Sequence, residues 1–210
     1  DGIRAEIPTI GSFGMPWKPR YNIAPSQIVP AISSEQPDAV TDFRWGLIPS
    51  WAKDPAIASG LINARAESLT EKPSFREAYR KRRCLILADG FYEWYTEGRK
   101  KFPVYFRLKS RKLFTFAGLW ETWTPSEGEK IRTCTIITTE ANPLVKRFHA
   151  RMPAIVPADA RSSWLDIARS SAKELEKIVT PYEAGEMEAI PVSTVVKQPQ
   201  RHSGQSSYLN

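Results

Sequence analysis

Glu93 is the residue whose surroundings most favour proton-transfer chemistry. It lies in residues 88–94, Ala-Asp-Gly-Phe-Tyr-Glu-Trp, among aromatic side chains and just after an Asp-Gly turn signal. If these residues form a strand, Phe91, Glu93 and Tyr95 share one face, because side chains alternate along a strand. A carboxyl group among aromatic rings is partly removed from water, which raises its pKa and suits general acid–base catalysis. The alternative is a solvent-facing glutamate in an alternating strand.

A histidine and an arginine form a second candidate site. His149 is one of only two histidines in the chain, the other being His202, and Arg151 follows two residues later. In an extended segment both side chains lie on the same side. Such a pair can bind a phosphate or polarise an oxygen. A purely structural role for the histidine remains the alternative.

A third pattern alternates polar side chains with alanines. Residues 63–67 read Asn-Ala-Arg-Ala-Glu, so an extended backbone would place Asn63, Arg65 and Glu67 on one face. An amide, a guanidinium and a carboxylate on one face could form a polar site. A solvated edge or a salt-bridged loop would give the same pattern.

The charge balance favours a polyanionic partner. The chain has 30 Lys and Arg against 23 Asp and Glu, a net charge of +7. Basic runs at residues 76–83 and 99–101 accompany the tryptophans Trp17, Trp45, Trp51 and Trp94. Basic groups on phosphates and aromatic faces under bases are typical of single-stranded nucleic-acid binding. The same tryptophans could equally be core residues.

Composition excludes several classes of protein. With 210 residues, 41% of them hydrophobic, the chain can fold as one large domain or two small ones. It contains no stretch of about 18 apolar residues, so no membrane span is expected. Its two cysteines, Cys84 and Cys134, predict neither a disulfide framework nor a zinc site, which favours a reducing cytoplasm. It contains neither GxGxxG nor GxxxxGK[ST], so we expect no nucleotide cofactor.

Short elements dominate the chain. Alternating or apolar runs predict strands at residues 27–32, 42–48, 85–88, 91–95, 102–108, 113–119 and 132–138. Capping-box patterns predict helices at residues 74–82 and 171–179, with a further helix at 158–167. These elements predict an α+β fold of mainly antiparallel strands with peripheral helices.

Five motifs together resemble one family. They are Tyr-Asn-Ile-Ala-Pro at 21–25, Trp-Gly-Leu-Ile-Pro-Ser-Trp at 45–51, and the motifs at 63–67, 88–94 and 149–153. In this order, over about residues 21–195, the chain resembles the SRAP (SOS response-associated peptidase) domains, the abasic-site processing proteins of bacteria and eukaryotes. The resemblance implies a barrel-like fold and a single domain over residues 1–210.

The resemblance also implies an activity. SRAP proteins bind single-stranded DNA at an abasic site and attach to it covalently through an N-terminal cysteine, which is exposed when the domain removes its own initiator methionine. The α-amine condenses with the sugar aldehyde, and the thiol then closes a thiazolidine ring. This chemistry combines lyase-like and peptidase-like activity, and needs no cofactor. We expect a monomer.

Site residues follow from matching motif positions. Asn63, Glu93 and His149 match the family's active-site asparagine, glutamate and histidine. Arg65 and Arg151 match positions that hold phosphates, and Asn22, Pro25 and Trp51 lie in motifs that line the DNA channel.

One feature of the family pattern is missing. The printed sequence begins at Asp1 and has no cysteine before Cys84. We therefore expect the segment with the nucleophile to precede this sequence. Two alternatives remain: a module that binds single-stranded DNA without covalent attachment, and an unrelated hydrolase that uses Glu93 and His149 on a small substrate.

Overall fold

The protein is described by a computed structural model that covers residues 2–8, 10–13, 20–168 and 171–193. Its strands are β1 (Ser12–Phe13), β2 (Ile28–Ser33), β3 (Gln36–Trp45), β4 (Asn63–Arg65), β5 (Arg83–Ala88), β6 (Phe91–Glu97), β7 (Lys100–Leu108), β8 (Phe114–Trp123), β9 (Ile131–Glu140), β10 (Arg151–Pro153), β11 (Ile155–Val156) and β12 (Met187–Pro191). Its α-helices are α1 (Gly2–Glu6), α2 (Arg76–Lys81), α3 (Arg161–Leu165) and α4 (Ala172–Ile178).

The larger sheet closes on itself. Its strands follow the order β1-β3-β2-β5-β8-β9-β10, and all neighbours in that order except β1 and β3 are antiparallel. β3 also pairs with β9 in parallel, through Arg44 with Thr133 and Trp45 with Cys134. Strands β2, β3, β9, β8 and β5 therefore form a ring. The predicted α+β class with mainly antiparallel strands is confirmed.

The smaller sheet carries Glu93. It has the order β12-β7-β6 and is antiparallel throughout. β6 and β7 form a hairpin around Gly98, whose φ of +59° favours glycine at the turn. The predicted hairpin at this place is confirmed, and the strands extend beyond their predicted ends to Glu97 and from Lys100.

One hydrophobic cluster joins the two sheets. It combines the ring residues Phe43, Cys84 and Cys134 with Phe91 and Phe106 of the smaller sheet. A second cluster packs the other face of the ring against the helices, with the fully buried Trp164 of α3 among its members. The smaller sheet is therefore held against the ring by apolar burial, the dominant favourable contribution to folding.

The helices at the edges follow the predictions only in part. Ser171 caps α4 with the full capping box, accepting from the Glu174 amide while the Glu174 carboxylate accepts from the Ser171 amide. The box expected at residues 74–77 does not form, because α2 begins one residue later, with Phe75 at its N-cap position. Residues 158–167 form a 3-10 turn, Ala158–Ala160, followed by α3.

Two predicted strands, β3 and β8, have boundaries that differ from the prediction for identifiable reasons. β3 begins at Gln36, six residues before the predicted start, because a polar segment pairs with β2. It ends at Trp45, because Gly46 adopts a φ of +128° that side chains rarely tolerate. β8 continues to Trp123, because the residues beyond Leu119 pair with β9. Among the described residues, no helix is long and apolar enough to cross a membrane.

Candidate functional site

Glu93 lies on the inner face of the smaller sheet. It shares that face with Phe91 and Tyr95, because side chains two residues apart in a strand point to the same side. Across the sheet it lies opposite the buried Val104 of β7. Its side chain is 20% exposed, so one edge reaches solvent. Burial raises the pKa of the Glu93 carboxyl, and the charge of His149 and a backbone hydrogen bond at Trp94 only partly oppose that rise.

The His149 imidazole faces this carboxyl. A 3-10 turn, Val145–Arg147, follows β9, and the His149 amide donates to the Val145 carbonyl at 3.0 Å. Phe148 anchors the segment by packing edge-on against Tyr95, with ring centroids 5.6 Å apart. His149 Nδ1 then lies 3.7 Å from Glu93 Oε1. A desolvated carboxyl and a half-exposed imidazole at this distance can exchange protons with a bound substrate.

Asn142 supports this turn, and sequence analysis missed it. Its buried Oδ1 accepts from the amides of Leu144 at 3.1 Å and Val145 at 2.9 Å, and its Nδ2 donates to the Tyr182 carbonyl at 2.8 Å. An Asx-type turn before a proline is a signal for such a residue, and Asn142 does precede Pro143. The long-range bond to Tyr182 has no sequence signal.

Arg151 extends the site from His149 to Glu67. The backbone of Arg151 contacts the imidazole, with its carbonyl oxygen 2.9 Å and its amide nitrogen 3.2 Å from Nδ1 of His149. The guanidinium donates two hydrogen bonds to the Glu67 carboxylate, at 2.8 and 3.0 Å, and one to the Thr138 carbonyl at 2.6 Å. His149 and Arg151 are therefore in contact, through the imidazole of His149 and the backbone of Arg151. The guanidinium of Arg151 contacts Glu67 and Thr138 instead.

The polar row at 63–67 is only partly a strand. Asn63 and Arg65 are exposed on either side of the buried Ala64 in β4, which pairs in parallel with β9. Glu67 lies in the following 3-10 turn, Ala66–Ser68, so the expectation of one continuous extended face is wrong. The turn nevertheless brings Glu67 to Arg151. The Arg151 hydrogen bonds lower the pKa of Glu67, and the charge of Arg65 contributes to the same shift.

Asn22, Pro25 and Trp51 lie on loops. The loop at 21–27 is attached to β6 by the Tyr92 hydroxyl, which donates to the Tyr21 carbonyl at 2.9 Å; within it Asn22 is half-buried and Pro25 is exposed. Trp51 is 59% exposed. The hydrogen bonds and ion pairs described for Glu93, His149, Arg151 and Glu67 include none of these three residues, nor Asn63.

Exposed aromatic rings cover the outer face of the smaller sheet. Trp94 is 39% exposed and Tyr21 73% exposed, and the Tyr92 ring lies 5.1 Å from that of Tyr105 and 6.3 Å from that of Trp94. Tyr92 and Trp94 alternate with Glu93 along β6, so this strand carries the carboxyl on one face and these two rings on the other. Of the other tryptophans considered from sequence, Trp45 is half-buried, and Trp17 lies outside the described residues.

The two cysteines are core residues. Cys84 of β5 and Cys134 of β9 are fully buried, and burial raises the pKa of both thiols. Neither can present a thiolate to solvent, so neither serves as a nucleophile here. Within the described part of the chain, no group of three His, Cys, Asp or Glu side chains could hold a metal ion.

The closed ring of strands and the smaller sheet bring together a carboxyl–imidazole pair, Glu93 and His149, and the imidazole contacts the backbone of Arg151. The chain belongs to the SOS response associated peptidase (SRAP) family, whose model matches residues 5–199. It is 45% identical over 191 residues to "Abasic site processing protein YoaM" of Bacillus subtilis, covering 90% of this chain and 84% of that protein. It is 36% identical to "Abasic site processing protein HMCES" of Gallus gallus, covering 86% of this chain and 63% of that protein.

Solved structures agree with this family assignment. A crystal structure of a Bacteroides thetaiotaomicron protein superposes with a TM-score of 0.76 at 34% identity, over 80% of this chain and 75% of that chain. A second, of a Bordetella bronchiseptica protein, gives a TM-score of 0.77 at 25% identity, over 92% and 96%.

Proposed function

We propose that this protein recognises abasic sites in single-stranded DNA and attaches to them covalently. The observation that carries the proposal is the Glu93–His149 pair, whose atoms Oε1 and Nδ1 are 3.7 Å apart and whose imidazole contacts the backbone of Arg151. The relatives named as abasic site processing proteins support the same substrate.

The covalent step follows from the functional groups. A ring-opened abasic sugar carries an aldehyde at C1′. A neutral α-amine adds to it, and loss of water gives an imine. A thiol on the same residue then adds across the C=N bond, which closes a thiazolidine without any change in oxidation state. We assign the amine and thiol to an N-terminal cysteine, a role that the buried Cys84 and Cys134 cannot take, since both lie inside strands and have no free α-amine.

Glu93 and His149 would transfer the protons in these reaction steps. Addition of the amine and loss of water need a group that gives and takes a proton near neutral pH. The raised pKa of Glu93 suits it to that role. His149 would assist opening of the sugar ring, and Asn63 would hydrogen-bond near the nucleophile and the sugar. The same groups would remove the initiator methionine, the peptidase-like activity of the family.

The DNA backbone and bases would contact the surrounding residues. Arg65 and Arg151 would hold phosphates, because a guanidinium matches phosphate in a bidentate geometry. Trp51 would offer its exposed ring to a base, and Asn22 and Pro25 would line the same channel. We propose that the chain acts as a single domain and a monomer, without a metal or cofactor.

The direct test is a denaturing gel with the full-length product of the gene. Three matched oligonucleotides are compared: one with an abasic site, one intact, and one whose abasic aldehyde has been reduced to the alcohol. We expect a shifted band with the aldehyde alone. Shifted bands with all three would indicate attachment by other chemistry, and no shifted band with any of them would contradict covalent capture.

A non-covalent DNA-binding module is the second candidate. The exposed rings of Trp51, Trp94 and Tyr21 favour it, because they could stack bases whether or not a nucleophile is present. This candidate predicts binding to the intact and abasic oligonucleotides that is lost on denaturation.

The salt dependence of binding tests the small-substrate hydrolase. Each phosphate contact on a single strand contributes about −0.7 to the slope of log K against log salt concentration, so a steep decrease in affinity with salt would exclude that hydrolase.

A further inference from the structure

The Arg151 guanidinium already holds a carboxylate where a phosphate is expected. Nη1 and Nη2 each donate to one oxygen of Glu67, at 2.8 and 3.0 Å, and Nη2 also donates to the Thr138 carbonyl. Nε is buried and has no hydrogen-bond partner among the described residues. The two nitrogens that a phosphate would need are therefore both engaged.

Glu67 is the more accessible member of this pair. The Glu67 side chain is 53% exposed and that of Arg151 is 21% exposed. A carboxylate and a phosphate accept from a guanidinium in the same fork geometry, so one can replace the other without moving the arginine. A partly exposed ion pair contributes little net free energy, so exchanging the Glu67 carboxylate for a phosphate costs little free energy.

We propose that Glu67 is an internal stand-in for a DNA phosphate, which Arg151 exchanges for the phosphate when DNA enters the site. This rests on the proposed DNA substrate. The exchange keeps the guanidinium in its binding orientation while the site is empty. It also weakens non-covalent binding of single-stranded DNA, because a phosphate that reaches Arg151 must first displace a carboxylate.

The released carboxylate keeps a cationic neighbour. Arg65 is exposed and close enough for its charge to lower the pKa of Glu67. The turn that carries Glu67 does not depend on Arg151 for its position. β4 pairs with β9 through Asn63 with Ile136 and Arg65 with Thr138, and the Ser68 hydroxyl donates to the Arg65 carbonyl. These contacts hold the turn in place, so the Glu67–Arg151 ion pair is not needed to position it.

The test measures the affinity of the full chain for an unmodified single-stranded oligonucleotide at several salt concentrations. Glu67→Gln removes the charge but keeps the size. Its matched control is Glu140→Gln, an exposed residue of β9 that lies opposite Arg151 in the strand register. We expect Glu67→Gln to bind about fivefold tighter. The salt slope is expected to match that of the unaltered protein, because Arg151 contacts one phosphate in both complexes. We expect Glu140→Gln to change affinity less than twofold.

A double-variant cycle locates the effect. In an Arg151→Met background, the gain from Glu67→Gln must disappear; a gain that persists, or an equal gain in Glu140→Gln, would overturn the exchange in favour of net charge. Weaker binding by Glu67→Gln would overturn it in favour of a positioning role.

If the unaltered protein binds the oligonucleotide and Glu67→Gln does not change that affinity, only the exchange fails. If it binds no single-stranded DNA at all, the proposed function fails as well.

Discussion

The Glu93 carboxyl and the His149 imidazole face each other across the junction of two sheets, with Oε1 and Nδ1 3.7 Å apart. Glu93 belongs to the smaller sheet, and His149 lies just before β10 of the larger sheet. The rings of Phe148 and Phe106 pack across the same junction, with centroids 5.5 Å apart. The geometry of the pair therefore depends on how the two sheets pack.

Replacing Glu93 changes the pH dependence of stability. Because burial raises its pKa in the folded protein, protonated Glu93 favours folding. That contribution is complete below the pKa of Glu93 in the unfolded chain, near 4.5. It is lost as the pH rises through the higher pKa of Glu93 in the folded protein. Glu93→Gln stays neutral, so its free energy of unfolding relative to the unaltered protein is expected to increase from pH 4 to pH 8. Urea denaturation at several pH values checks this.

The control for that experiment is Glu97→Gln. Glu97 lies on the same face of β6 but is exposed near the hairpin turn, so its substitution removes a carboxylate from this strand without removing a buried one. A similar pH trend in both variants would contradict desolvation of Glu93 as the cause.

Asn142→Ala is expected to lower the free energy of unfolding by about 2–3 kcal/mol, because buried amides of Leu144 and Val145 lose their acceptor. Asn142→Asp keeps that acceptor but loses the donor to the Tyr182 carbonyl, and a smaller loss is expected. Equal stability of the alanine variant and the unaltered protein in urea melts would contradict the anchoring role.

Arg83 fastens two helices to the ring. It is 2% exposed and donates to the carbonyls of Tyr79, Trp164 and Asp166 at 2.9, 2.6 and 2.9 Å. Arg83→Met leaves these carbonyls without their donor and is expected to cost about 3 kcal/mol in denaturant melts.

Arg83→Lys retains the charge but cannot fork to three acceptors, so an intermediate loss is expected. A lysine variant as unstable as the methionine variant would show that charge contributes nothing at this site.

Trp51 separates binding from stability. Since its ring is 59% exposed, Trp51→Ala is expected to change the melting temperature little. If the ring stacks on a base, affinity for single-stranded DNA falls by about 1–3 kcal/mol. Fluorescence anisotropy with a labelled oligonucleotide measures this loss. An unchanged affinity would remove Trp51 from the DNA channel.

Local patterns predicted the elements better than the contacts between them. The face of Glu93 and the β6–β7 hairpin follow from a period of two and a Glu-Gly-Arg turn, both local properties. The pairing of β4 with β9 joins residues more than 70 positions apart, and no local propensity encodes it. The alternation of polar residues at 63–67 continues into a turn, so the pattern alone does not distinguish an extended strand from the salt-bridged turn that carries Glu67. Its pairing with Arg151 is likewise a tertiary contact.

The central claim is that Glu93 transfers protons during covalent capture. The most direct measurement is the rate of crosslinking to an abasic oligonucleotide, from pH 5 to pH 9, for the full-length protein, Glu93→Gln and the control Glu97→Gln. We predict that Glu93→Gln slows crosslinking about 10²-fold near neutral pH, with its non-covalent affinity unchanged, while Glu97→Gln matches the unaltered protein. A Glu93→Gln rate within twofold of the unaltered protein across this range would contradict the account.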